Sequence, residues 1–151
     1  MKKRILLIED EGFIKKPVID LLRNNKHEVK HAINCTGAIG FWRKYNGQFD
    51  CIILDLNINP NGLNDEETLK YFPVHGILVL NKLRDVPVEI QDGKTLNQLE
   101  KEIWEKTFVY SAYIDQLKDK ESEFPYYNEL KFYRKEKASS MRDLIERVSN
   151  Y

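Results

Sequence analysis

Acidic residues close two apolar runs of this chain. Glu9-Asp10 follows Ile5-Leu6-Leu7-Ile8, and Asp55 follows Cys51-Ile52-Ile53-Leu54. A hydroxyl, Ser111, stands near the end of a third hydrophobic stretch that begins at Thr107, and Lys135 ends a fourth that begins near Leu130. If these runs are parallel strands, their carboxyl ends share one rim, and that rim is where doubly wound sheets bind ligands. Glu9, Asp10 and Asp55 at one rim suit a hard divalent cation. Magnesium takes oxygen donors, keeps several waters, and uses one or two carboxylates together with phosphate oxygen. Without a cation the like charges raise one or more carboxyl pKa values, whereas bound magnesium keeps the acids ionised. So screened, the Asp55 carboxylate is a nucleophile toward a phosphoryl group and forms an acyl phosphate. Ser111 would donate a hydrogen bond to one phosphoryl oxygen, and Lys135 would place a point charge on another. Singly, each residue has a plainer explanation: an acidic turn, a strand-end hydroxyl, a solvated lysine. The combination carries the specificity.

The elements that must position these groups are legible as alternating patterns. Short continuous apolar runs are the signature of parallel strands buried on both faces. Between the first two runs lies a helical stretch with Phe13, Ile14, Val18, Leu21 and Leu22, ending near Asn24-Asn25, then a weaker strand from Glu28 to Ala32. Pro17 implies that the regular helix either starts near Lys16 or is kinked there. A second helix is expected from about Thr36 to Tyr45, with Ala38, Ile39, Phe41 and Trp42 inward and Gly47 after its end. Beyond Asp55, Asn57 to Gly62 is a loop by composition, and Asp65-Glu66-Glu67 opens a short polar helix. Gly76 to Leu83 is open to strand or helix, with a buried helix preferred on spacing. Thr95 to Lys106 predicts a helix with Leu96, Leu99, Ile103 and Trp104 on one face and a Glu102–Lys106 pair. Strands at Thr107 to Ala112 and Leu130 to Lys135 follow, separated by a polar stretch, and Ser139-Ser140 opens a terminal helix. The order predicts an α/β fold, a five-stranded parallel sheet with helices on both faces.

Composition narrows the function. A chain of 151 residues with 24 basic and 24 acidic residues has no net formal charge to attract nucleic acid, which is not expected as a partner. A domain of about 150 residues buries roughly 70% of its unfolded surface, so it needs no disulfides. Cys35 and Cys51 form no CxxC motif and are expected to be buried small hydrophobes in a reducing cytoplasm. The apolar run after Met1-Lys2-Lys3-Arg4 is too short for a signal peptide, and no membrane span is predicted. His27 and His31, four apart beside an edge strand without other ligands, are expected to be solvated.

The residues resemble one known family, the receiver domain of two-component response regulators. The resemblance rests on Ile5 to Glu11, Phe49 to Asn57, Ser111-Ala112 and Phe132 to Lys135, and it covers most of the chain. It implies a flavodoxin-like fold with strand order 2-1-3-4-5. It also implies Glu9 and Asp10 as the acidic pair for Mg2+, Asp55 as phosphoacceptor, and the backbone carbonyl of Asn57 as another metal ligand. Ser111 matches the hydroxyl switch position and Phe132 the aromatic switch position, although Phe132 is open to a simple core role. Lys135 keeps Phe132 at the family's offset, whereas Lys137 fits the spacing to Leu144 better. Where the family has Met-Pro and then Gly, this chain has Asn59-Pro60 and Gly62. One domain over 1–151 is expected, with insertions at about 61–75 and 86–106.

The resemblance implies a phosphorelay switch, phosphorylated on Asp55 by a histidine kinase or histidine phosphotransfer protein and signalling through a partner protein, with a homodimer as one candidate assembly. A DNA-binding output domain is not expected within this stretch of chain, so output is expected through a partner or another chain unless the stretch is a fragment of a longer protein. Two alternatives come from other classes. One is a degenerate receiver that is never phosphorylated and acts as an interaction module. The other is a phosphohydrolase of the haloacid dehalogenase type, which needs an aspartate where this chain has Asn57.

Overall fold

A parallel strand covered on both faces has no polar side, and the two runs that end in acids occupy the middle of the sheet. The structure is a computed structural model that describes residues 2–89 and 93–151, so residues 90–92 of the expected second insertion lie outside the described residues. β1 (Arg4–Ile8), β2 (Glu28–Ala32), β3 (Cys51–Leu54), β4 (Thr107–Ser111) and β5 (Lys131–Arg134) form one sheet in the order β2-β1-β3-β4-β5. Every pairing is parallel, with Ile5 opposite Val29 and Cys51, Ile53 opposite Phe108, and Val109 opposite Phe132. This is the flavodoxin-like arrangement, and the expected strand order is correct.

Alternate residues of each run feed two cores. Ile5, Leu7, Ile53 and Phe108 pack with α1 (Gly12–Asn24) and α7 (Ser140–Ser149) through Val18, Leu22, Leu144 and Val148. Leu6, Ile8, Ile52, Leu54 and Val109 face the other way, with Trp42 of α2 (Cys35–Lys44), Leu80 of α4 (Leu78–Arg84) and Trp104 of α5 (Leu96–Glu105). Each fully buried aliphatic side chain contributes roughly 1.5–3 kcal/mol, so the central strands anchor the rim that follows them. Between β3 and β4 the chain also forms the polar α3 (Asp65–Tyr71), and after β4 the short α6 (Ile114–Lys118).

Several local expectations need correction. Of the two readings at Pro17, the start near Lys16 is excluded, since α1 begins at Gly12 and carries Pro17 inside it. Phe13 is 95% exposed and Leu21 is also exposed, because the buried stripe runs through Val18, Ile19 and Leu22. The run from Gly76 to Leu83 is helical as preferred, a 3-10 turn (His75–Ile77) leading into α4. In α5 the buried face holds Ile103 and Trp104, while Leu96 is exposed. The Glu102–Lys106 pair does not form: Glu102 binds Lys94 at 2.9 Å, and Lys106 Nζ donates to the Phe49 carbonyl at 3.0 Å. β4 ends at Ser111 and β5 covers only Lys131–Arg134, although the Lys135 N–H still donates to the Ser111 carbonyl at 3.2 Å. Ser139 makes no side-chain cap on α7.

His27 is buried rather than solvated. Its Nδ1 accepts from the Lys3 N–H at 3.2 Å, and Nε2 lies 3.1 Å from Ser149 Oγ, while His31 is exposed as expected. Cys35 and Cys51 are buried free thiols, pushed by burial up to about 11 and about 12. Among the described residues no helix is long and apolar enough to cross a membrane.

Candidate functional site

The carboxyl ends of β1 and β3 lie side by side because Ile8 is in register with Leu54, and the Asp55 N–H donates to the Ile8 carbonyl at 3.0 Å. This continuation of the ladder brings Glu9, Asp10 and Asp55 together. One carboxylate oxygen from each lies within 4.8 Å of the others. Glu9 and Asp55 are buried and Asp10 is half-buried. Lys135, just past β5, reaches across β4 to this cluster. Its Nζ lies 2.6 Å from Glu9 Oε2, 3.0 Å from Asp55 Oδ2 and 3.6 Å from Glu11 Oε2. Lys137 is exposed, in the turn between β5 and α7.

Electrostatics follow from this burial. Burial pushes the Glu9 carboxyl up to about 7, and the Asp55 charge adds to the shift while Lys135 opposes it. For Lys135, burial disfavours the ammonium, but Asp55 and Glu9 together outweigh it and hold the pKa above the ordinary lysine value. The cluster sets one ammonium, Lys135, against three acids, Glu9, Asp10 and Asp55, and a hard cation would offset the excess negative charge. The donor set is entirely oxygen, which fits magnesium.

A backbone amide holds one oxygen of each carboxylate. The Glu11 N–H donates to Glu9 Oε1 at 3.0 Å, Leu56 N–H to Asp55 Oδ1 at 2.8 Å, and Asn59 N–H to Asp10 Oδ2 at 2.9 Å. Asn57 is half-buried in the bend after β3. Ser111 is fully buried at the end of β4, and its Oγ accepts from the Tyr113 N–H at 3.2 Å. Phe132 is half-buried on β5, its ring 5.3 Å from that of Tyr127. The structure therefore gathers Glu9, Asp10, Asp55 and Lys135 into direct proximity. Ser111 lies beside β5, while Phe132 belongs to the core flank rather than to the acid cluster.

Sequence reasoning missed three participants. Glu11 lends both its amide and its carboxylate. Asn59 serves through its backbone, which leaves no trace in residue type. Gly76 donates its N–H to the Leu56 carbonyl at 2.7 Å, and a Cβ there would sit 2.5 Å from the Asp55 carbonyl oxygen. Gly62, at φ +93°, instead packs against Thr36. The signal for Gly76 was available, since a lone glycine opening an apolar helix often marks close backbone approach.

The fold and rim define a class: this is the fold of response-regulator receiver domains. Chemotaxis protein CheY4 of Vibrio cholerae is similar over 98% of this chain and 99% of its own, with TM-score 0.63 and 17% identity. The receiver domain of Francisella response regulator 1452 is similar over 98% and 94%, with TM-score 0.60 and 18% identity. A CheY-like receiver domain protein from Methanospirillum hungatei covers 99% of this chain and 93% of its own, with TM-score 0.57 and 15% identity. No protein-family model matches the sequence, and no curated relative matches it either.

Proposed function

We propose that this chain is a magnesium-dependent phosphoacceptor of a two-component phosphorelay, acting in the cytoplasm and signalling through a partner protein. The observation that supports it best is the meeting of Glu9, Asp10 and Asp55 within 4.8 Å, with Lys135 on both Glu9 and Asp55. Glu9, Asp10, Asp55 and the Asn57 carbonyl would hold the magnesium, which when bound offsets the charge shared by the acids and the phosphoryl oxygens.

The chain's own residues account for the transfer. An Asp55 carboxylate oxygen attacks the phosphorus of a phosphohistidine on a histidine kinase or phosphotransfer partner. The P–O bond forms as the P–N bond breaks, and the imidazole leaves with its electron pair. Because Ser111 Oγ accepts from Tyr113, its proton remains for a phosphoryl oxygen. Lys135 exchanges its contact with Glu9 for another phosphoryl oxygen. A swing from mostly off to mostly on requires roughly 5 kcal/mol of preference, within reach of roughly two added charges met by charge-assisted bonds. Ser111 and Phe132, on adjacent strands, would pass the change to the face formed by α6, β5 and α7.

Incubation with magnesium and phosphoramidate, followed by intact mass, tests this. The native chain should gain one phosphoryl group, about 80 Da, only with magnesium, and Asp55→Asn should gain none. A non-phosphorylated interaction module is the second reading, favoured by Leu69 at 81% and Phe72 at 63% exposure on the α3 arm. Absence of both labelling and magnesium binding would select it.

A further inference from the structure

At the opposite end of the sheet, where the strands begin, α5 and the ends of α2 and α4 border a half-open cavity of about 650 Å³. That is within the size range of small-molecule sites. Its lining includes six cations, Lys2, Lys3, Arg4, Arg84, Lys94 and Lys106, against three carboxylates, Glu28, Asp50 and Glu102, in a chain whose total charge is zero. Most of these charges are already engaged. Arg4 binds Glu28 at 2.5 Å, Lys94 binds Glu102 at 2.9 Å, Arg84 binds Asp85 at 2.9 Å and Glu100 at 3.4 Å, and Lys3 Nζ donates to the Tyr151 carbonyl at 2.7 Å.

Lys106 differs. Its natural helical partner Glu102 is turned to Lys94, and among the described residues no carboxylate lies within 4.0 Å of its Nζ. Its ammonium is held at the cavity by the Phe49 carbonyl and lies 6.0 Å from the Trp42 ring centroid. Burial lowers its pKa, opposed by Glu102 and Asp50, so the charge lacks full compensation. In the same lining, half-buried Val88 and Leu99 give the cavity an apolar wall.

We propose that this cavity binds a small organic anion with an apolar body, its charge received by Lys106 and its body resting on Val88 and Leu99. Charge sets the sign of the ligand, because cations outnumber carboxylates in the lining and Lys106 has no carboxylate partner among the described residues. The apolar wall sets its class, because inorganic phosphate or a bare metal ion would leave that wall wet. The site is separate from the acid cluster, which lies at the other ends of the same strands, and it does not depend on whether Asp55 is phosphorylated.

The probe is 8-anilinonaphthalene-1-sulfonate, an aromatic sulfonate, titrated by fluorescence against the full chain and mapped by amide NMR shifts. One saturable site is expected, with shifts centred on Gly47, Leu99 and Lys106. Lys106→Met should weaken binding about tenfold, the size expected for loss of one charge-assisted contact. Val88→Asp should weaken it comparably by adding a negative charge at a half-buried wall position, which keeps the test decisive if the lysine variant folds poorly. Lys137→Gln, which removes one cation elsewhere, should leave binding unchanged. Non-saturable binding, shifts mapping to another surface, or equal weakening by Lys137→Gln would overturn the proposal.

Discussion

Lys135→Met removes the ammonium while keeping most of the side-chain length, and its consequences follow from two distances. Nζ lies 2.6 Å from Glu9 and 3.0 Å from Asp55, and all three side chains are at most 10% exposed. Breaking a buried pair by deleting one partner typically costs about 3–5 kcal/mol, because the remaining charge is left uncompensated. Here Glu9, already pushed up to about 7, can take a proton and relieve part of the repulsion. The expected loss without metal is therefore near the lower end, about 3 kcal/mol at neutral pH. For a chain of this size that lowers Tm by roughly 6–12 °C. Magnesium should reverse the order of sensitivity. In the native chain a cation shares the acids with Lys135, whereas in the variant it meets no competing ammonium, so it should bind more tightly and stabilise more. At a hundredfold excess over Kd the gain is about 2.7 kcal/mol, enough to recover most of the deficit. Thermal unfolding of both proteins, with magnesium and with chelator, measures all four values. A variant as stable as the native chain without metal, or one that gains no more from magnesium, would refute the charge balance drawn for this rim.

Three further outcomes follow from the structure. Gly76→Ala should destabilise by about 1–3 kcal/mol in chemical denaturation and reduce phosphoramidate labelling, since the new Cβ meets the Asp55 and Leu56 carbonyl oxygens at 2.5 and 2.6 Å. His27 has its pKa lowered from 6.5 by burial and then by Lys3, so the unfolded chain binds more protons below 6.5 and stability falls as pH drops through that region; His27→Gln should flatten this acid limb in denaturation curves at pH 7 and 5. Glu9 shifts the other way: raised to about 7, it contributes stability at low pH that is lost as pH rises through 7 in the metal-free chain, while magnesium affinity, read by calorimetry, should rise over the same interval.

The sheet was legible because its signal is local. Ile5 to Ile8 and Cys51 to Leu54 are continuous apolar runs, and each ends in the acid that the rim uses. The acid cluster was legible for the same reason, since strand ends of known polarity place side chains on one edge. What escaped depends on choices between competing partners. Glu102 precedes Lys106 by one helical turn, and that spacing alone favours Lys106, yet Lys94, just ahead of α5, takes it. His27 reads as an edge histidine until Ser149, far along the chain, closes over it. Phe13 belongs to the apolar set between the first two runs, but at about 100° per residue it lies roughly opposite Leu22 on the helix, on the solvent side.

The stretch after Asp55 joins these two kinds of information. It leaves the rim at Asn59, which bridges Asn34 in parallel fashion and donates its amide to Asp10. Gly62 then packs on Thr36 at the start of α2, and Asn64 caps α3 through the amides of Glu66 and Glu67. The chain returns at His75, whose Nε2 lies 2.6 Å from the Ile58 carbonyl, and at Gly76, bonded to Leu56. Both ends of the excursion are thus tied to the short loop that carries Asp55, and α3 projects between them. An excursion closed this way leaves the carboxylates in place, because the loop's own hydrogen bonds are made at its two ends. That is why the spacing after Asp55 departs from the receiver pattern while the acids still converge. It also places the exposed Leu69 and Phe72 on an arm rooted in the loop that carries Asp55, to which Gly76 is bonded through Leu56.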